Sequence, residues 1–211
     1  MPLERQLVIF SADAARPSTR DLAGLLVGAA YVTTMGGTAR VSVKVDAAWR
    51  VHALASEFAA RGLSLAWEHS QDAFLVHTSY STALRGLNPP SFLDGCRLRL
   101  WFAASGRVVE GSIVLKLGDN HALARRALAP LGLDGAIERG PAIRIDGAAK
   151  VSRLADLIGQ RPPSAPEGAW PKRPERPAVL DRLERLERLE RLERPVRRRR
   201  AERAEPSERL V

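Results

Sequence analysis

The chain is predicted to be an α+β protein of two pseudo-symmetric repeats, each running helix, two strands, helix, two strands, helix (αββαββα). Two observations carry that prediction. Residues 21–46 and 97–119 share one plan: a small-residue apolar helix, a short extended piece, and a Val/Ile/Leu strand that contains a Lys and ends at an Asp opening a charged helix. Repetition on this scale implies two related halves stacked about an approximate two-fold axis. The second observation is the alternation of Val41, Val43 and Val45 with Arg40, Ser42 and Lys44. A two-residue period describes a strand with one buried and one wet face.

Each element of the first repeat has its own signal. Ser18, followed three residues later by Asp21, resembles a capping box ahead of the apolar run 22–30, which is the first motif helix. An extended piece over 31–35 and the Gly36-Gly37 turn lead into the strand over 40–45. Asp46 is placed to cap a helix reaching residue 61, with Trp49, His52, Ala53, Leu54 and Phe58 at helical spacing and Gly62 as its terminator. Segments 63–69 and 74–80 form a hairpin around Ser70-Gln71-Asp72. A short helix over 82–87 stops at Asn88-Pro89-Pro90, because proline cannot continue a helix.

The second repeat keeps this order in a shorter form. A helix over 92–104 leads to strands 107–109 and 112–117, joined by the tight Glu110-Gly111 link. Asp119 is placed to cap a helix reaching 131, which Gly132 ends. Strands 136–139 and 142–146 flank Gly140-Pro141, and a helix over 150–158 closes at Gly159.

Composition sets the outer limits. In 211 residues, 45% hydrophobic content is enough for a real core. The longest apolar runs fall far short of the roughly 20 residues that cross a bilayer. Glu4 and Arg5 precede only a short apolar run over 7–10, which lacks the long apolar core of a secretion signal, so a cytoplasmic location is expected, with nucleoid association compatible. One cysteine, Cys96, excludes an internal disulfide framework and a thiolate zinc cage, and reads as a small buried hydrophobe. The formal charge is +9. From Lys172 onward there are 14 basic and 9 acidic residues, a net of +5, which leaves only +4 on the part before it. Such a balance permits a phosphate-binding face without requiring one.

Several chemistries find no support. His52, His69, His77 and His121 show no metal-ligand spacing, and no cofactor is expected. No serine has a paired histidine of discernible geometry. Gly36-Gly37 reads as a hairpin turn, because no helix starts there to cradle a phosphate. Trp49, Trp67 and Trp101 fit core or helix-packing roles.

Past Gly159 the composition changes. Pro162, Pro163, Pro166, Pro171, Pro174 and Pro177 predict a linker over 160–178, extended and outside the core, with Trp170 able to pin it to the body. Over 179–194, Leu183, Leu186, Leu189 and Leu192 recur within Arg-Leu-Glu triplets, and Glu184 with Arg188, Glu187 with Arg191, and Glu190 with Arg194 are favourable i,i+4 pairs. A solvated helix is expected there, since a three-residue step drifts around the helix instead of forming a coiled-coil seam. Pro195 ends it, and a basic tail over 195–211 contains Arg197 to Arg200.

The repeat, opened by Asp21-Leu22-Ala23-Gly24-Leu25-Leu26-Val27-Gly28-Ala29-Ala30, resembles the LAGLIDADG homing-endonuclease family. Its second copy is Leu98-Arg99-Leu100-Trp101-Phe102-Ala103-Ala104-Ser105-Gly106, in which Leu100 stands where the family usually has a small residue. The resemblance divides the chain into a lead-in over 1–17 and repeats over 18–90 and 91–159. It implies a saddle in which two motif helices pack at the pseudo-two-fold and two antiparallel sheets lie along the DNA major groove. It also implies catalytic acids at the eighth motif position, and here those positions hold Ala29 and Ser105. Phosphodiester cleavage of that kind needs carboxylates to gather Mg²⁺, so no endonuclease activity by the family mechanism is expected.

The resemblance makes the wet strand faces the DNA surface: Arg40, Ser42, Lys44, His77 and Ser79 in one sheet, and Lys116, Arg139 and Arg144 in the other. Arg139 falls on the wet or the inner side according to where its strand begins. Each residue alone is accounted for as an ordinary polar group on a half-exposed strand. Taken together, with Lys44 and Lys116 in equivalent places, they suggest phosphate and base-edge contact. The leading expectation is a non-catalytic double-stranded DNA-binding protein, a regulator or nucleoid component, monomeric with an internal pseudo-two-fold. A second is a protein-interaction scaffold docking through residues 181–194 without DNA. A third is a nuclease that uses the displaced acids Asp21 or Asp94.

Overall fold

The structure, a computed structural model, describes residues 11–172, and both repeats lie within one compact unit. The helix expected over 179–194 and the tail beyond it lie outside the described residues.

The first motif helix spans Thr19–Val27 and has 3-10 geometry. Its start follows the expected capping box: the Ser18 N–H donates to Asp21 Oδ2 at 2.8 Å, and the Ser18 hydroxyl accepts from the backbone of the first turn. The polypeptide then forms β1 (Tyr31–Met35) and β2 (Thr38–Val45), a helix α1 (Ala48–Ala59), and the hairpin β3 (Leu65–Ser70) and β4 (Ala73–Thr78). The short helix expected over 82–87 reduces to a 3-10 turn at Thr82–Leu84, with the Ser81 hydroxyl at its start. The second repeat supplies the motif helix α2 (Gly95–Ser105), β5 (Arg107–Val109), β6 (Ser112–Lys116), α3 (His121–Leu128), β7 (Ala136–Glu138), β8 (Ala142–Ile145) and α4 (Ala148–Ile158).

The two sheets have the same topology. Antiparallel strands run in the order β1-β2-β4-β3 in one and β5-β6-β8-β7 in the other. Equal strand order in two consecutive segments is the repeat made visible, and the α+β architecture with two αββαββα halves is as the sequence predicts. The alternation is also as predicted. Val41, Val43, Val45 and Val76 of the first sheet are buried, as are Ile113, Leu115, Ile143 and Ile145 of the second. They join Leu22, Leu25, Leu98, Trp101 and Phe102 of the motif helices in one hydrophobic core.

The motif helices approach closely at a glycine. A Cβ added to Gly24 would stand 2.1 Å from the Arg97 carbonyl oxygen, so only a residue without a side chain allows this backbone contact. At the end of the same helix a Cβ on Gly28 would meet the Trp101 indole, whose Nε1 donates to the Lys116 carbonyl at 2.8 Å. The indole N–H is thus satisfied in an otherwise apolar environment, as a buried tryptophan requires.

Three expectations need correction. Asp46 does not cap α1: the N-cap is Ala47, which makes no side-chain cap bond, while the Asp46 carboxylate is held by two guanidinium groups described below. Asp119 does not cap α3 either, because Asn120 takes that place and accepts from the Leu123 N–H at 2.9 Å. Finally, residues 160–172 do not run outside the core. Ala165 and Trp170 are buried, and Trp170 stacks edge-on against Phe102 with ring centroids 4.8 Å apart. Its Nε1 donates to the Gly159 carbonyl at 3.1 Å, so proline here shapes a strap laid on the body.

Candidate nucleic-acid interface

The strand registers define the two wet faces. Directly opposed residues share a face in an antiparallel pair. In the first sheet Thr33 opposes Arg40, Tyr31 opposes Ser42, Ser42 opposes His77, and Lys44 opposes Leu75. In the second, Val114 opposes both Arg107 and Arg144, and Lys116 opposes Ala142. Arg40, Ser42, Lys44 and His77 therefore lie on one face, and Arg107, Lys116 and Arg144 on the matching face of the other sheet.

The eight residues expected at this surface differ in availability. Lys44, Ser79, Lys116 and Arg139 are exposed, and none of the three cations makes an ion pair among the described residues. Arg139 falls in the turn between β7 and β8, outside both strands. Arg40 is half-buried, with its guanidinium 5.1 Å from the centre of the Tyr80 ring. Arg144 forms ion pairs with Glu138 and Asp146. Ser42 and His77 have the expected parity but are buried, at 0% and 6% exposure, so their neighbours cover them despite the wet face. Among the described residues the Ser42 hydroxyl and His77 Nδ1 have no hydrogen-bond partner, and His77 Nε2 lies 3.5 Å from Glu68.

Ala29 stands just past the end of the first motif helix, and Ser105 is the last residue of the second. Ala29 is exposed and Ser105 half-buried, its hydroxyl donating back to the Trp101 carbonyl at 3.3 Å. The alternative acids lie elsewhere. Asp21 opens the first motif helix and pairs with Arg61 at 3.0 Å, while Asp94 caps α2 and pairs with Arg97 at 3.3 Å. No group of three or more His, Cys, Asp or Glu among the described residues could hold a metal ion.

A different carboxylate marks this centre. Asp46, at the end of β2, accepts from Arg50 Nε at 2.8 Å and also from Arg107 at the start of β5. Burial alone would raise its pKa, but the Arg107 hydrogen bond and the charge and hydrogen bond of Arg50 together hold the carboxyl below its ordinary value. Arg50 itself is buried. Its Nη1 donates to the carbonyls of Phe102 at 3.2 Å and Ala103 at 2.9 Å, and its Nη2 to that of Gly106 at 2.6 Å. These carbonyls belong to the C-terminal end of α2, where acceptors left over by the helix and the negative end of its dipole favour a cation; that of Phe102 also accepts from the Gly106 N–H at 2.7 Å. Sequence reasoning missed Arg50 and Arg107. The available signal was the Asp46/Arg50 spacing of four, which also fits an ordinary surface pair.

The chain matches no protein-family model and no curated protein. Solved structures do resemble it. The N-terminal LAGLIDADG domain of DUF199/WhiA is similar at a TM-score of 0.51 and 15% identity, over 74% of this chain and 84% of that one. Full-length DUF199/WhiA from Thermatoga maritima is similar at 0.53 and 14% identity, over 74% of this chain but only 56% of its own length. The homing endonuclease I-WcaI bound to its DNA recognition sequence is matched at 0.47 and 13% identity, over 75% and 87% of the two chains. The likeness to the two WhiA structures, with identical strand order in the two halves, shows that this chain has a LAGLIDADG-like fold.

Proposed function

We propose that this LAGLIDADG-like protein binds double-stranded DNA without cleaving it, as a monomeric regulator or nucleoid component of the cytoplasm. One observation carries the reading: Lys44 and Lys116, at equivalent positions near the ends of β2 and β6, are exposed on matching wet faces and carry no ion pair among the described residues. Two such ammonium groups suit phosphate contact, whose strength comes from counterion release. Ala29 and Ser105 offer no carboxylate at the helix ends, and Asp21 and Asp94 are engaged at the opposite ends. These features support the absence of cleavage by the family mechanism.

The test is a salt-dependent anisotropy titration with duplex DNA. Charge reversal in Lys44→Glu/Lys116→Glu should weaken binding markedly and flatten the salt dependence. Unchanged affinity would refute the assigned face.

Exposed Tyr31 and Met35 on β1 favour a second reading, a protein-docking surface, because apolar side chains at 51% and 60% exposure suit a partner as well as a base edge. Binding of a protein partner with no DNA affinity would establish it.

A further inference from the structure

We infer that the Asp46 carboxylate is an internal stand-in for a DNA phosphate, holding Arg107 at the centre of the interface until a phosphate replaces it. The inference rests on the DNA-binding reading above. Three features single out this pair.

First, the two arginines on Asp46 are held very differently. Arg50 is fixed by three backbone carbonyls as well as by Asp46, and is buried at 4% exposure. Among the described residues Arg107 pairs with Asp46, and its side chain is 57% exposed. One guanidinium is therefore a structural fixture, whereas the other can change partners at small cost, since an exposed pair contributes little to stability.

Second, Arg107 has the right placement. It opens β5 opposite Val114, which puts it on the face that carries Lys116 and Arg144. Because Asp46 directly follows β2 and Arg50 reaches the C-terminal end of α2, the pair joins the two repeats at the end of the second motif helix. A guanidinium there offers planar paired donors to a phosphate, a geometry that an ammonium group lacks.

Third, the carboxylate stays ionised. Held below the ordinary carboxylate value by its two guanidinium neighbours, it presents a negative charge near neutral pH and competes with any anion for Arg107. Exchange of one anion for another keeps Arg107 paired throughout, while the anchored Arg50 continues to neutralise Asp46 after Arg107 leaves.

The test measures duplex affinity against salt for the full-length protein and three variants, Arg107→Ala, Asp46→Asn and the double variant, each checked for folding by thermal melting. Arg107→Ala should weaken binding and reduce the salt slope by about one. Asp46→Asn keeps an oxygen acceptor for Arg50 but removes the competing charge, so affinity should rise by up to about fivefold, the most that an exposed pair is worth. In the double variant that gain should vanish. A gain that persists without Arg107 would mean that only net charge had changed, and the exchange would be disproved. An Arg107→Ala protein that binds like wild type would also overturn it while leaving the DNA-binding reading intact. Failure of the wild-type protein to bind duplex at any salt would overturn both. Should Asp46→Asn not fold, the slope of Arg107→Ala decides alone.

Discussion

Gly24 lies with its bare α-carbon against the carbonyl oxygen of Arg97, a close backbone approach between the two motif helices. The contact sets how near the repeats can come. Gly24→Ala would force the helices apart or distort the 3-10 turn, at a cost of about 1–3 kcal/mol, as for other overpacked cores. Chemical denaturation should show this loss, whereas Gly36→Ala, in a turn with open space around it, should cost only its positive-φ strain.

Arg50 should be among the residues least tolerant of change. Arg50→Leu fills similar volume but strands the carbonyls of Ala103 and Gly106, leaves that of Phe102 with only the Gly106 N–H, and takes away one of the two cations on Asp46. Breaking a buried charge network in this way costs about 3–5 kcal/mol. Arg50→Lys should recover only part of that, because a single ammonium group cannot reach acceptors on both sides at once. Thermal melting of the two variants beside wild type checks the ranking.

Cys96 should resist alkylation in the native protein. The thiol is buried, and that burial, with a smaller contribution from the Asp21 charge, pushes its pKa above the ordinary thiol value, up to about 11. The sign follows from linkage: the folded state holds the proton more tightly, so the contribution is fully present below about pH 9 and is lost as pH rises through about 11. The difference in unfolding free energy between wild type and Cys96→Ala should therefore be constant up to pH 8 and shift against wild type at higher pH. An iodoacetamide time course at pH 8 should show modification only after denaturant is added.

Trp170 makes the strap part of the fold. Trp170→Ala would remove the edge contact with Phe102, the bond to the Gly159 carbonyl and the ring 5.2 Å from the Arg99 guanidinium. Truncating such a buried aromatic costs about 3–5 kcal/mol. Limited proteolysis should then cut within 160–172, at sites that wild type protects.

Most of the fold was legible in the sequence because it is written in local patterns. The valines of β2 and the branched residues of β6 alternate with a period of two, and Ser18 with Asp21 announces the first motif helix. Periodicity could not distinguish a 3-10 helix from an α-helix there, since over nine residues the apolar positions serve both. The strap was misjudged for a related reason: proline content reports an extended backbone but not whether that backbone is covered, and the covering residue is a tryptophan meeting Phe102 from 68 positions away. Strand parity put Ser42 and His77 on the correct side of the sheet, yet accessibility depends on cross-strand neighbours that no single strand reveals. The central cluster was the least visible. An arginine in the first turn of a helix normally points into water, and only the tertiary approach of α2 converts Arg50 into a buried donor.

The clamp that Arg50 forms bears on how this molecule could be divided. Arg50 is the third residue of α1, and the third residue of α3 is Leu123, a side chain with nothing to donate. Two copies of the second half, paired as a symmetric dimer, would leave both α2 ends with bare acceptors, and two copies of the first would leave both guanidiniums without the carbonyls they now hold. The Arg50 clamp therefore runs one way, from the first half to the second, and at this contact the two halves are alike in topology without being interchangeable.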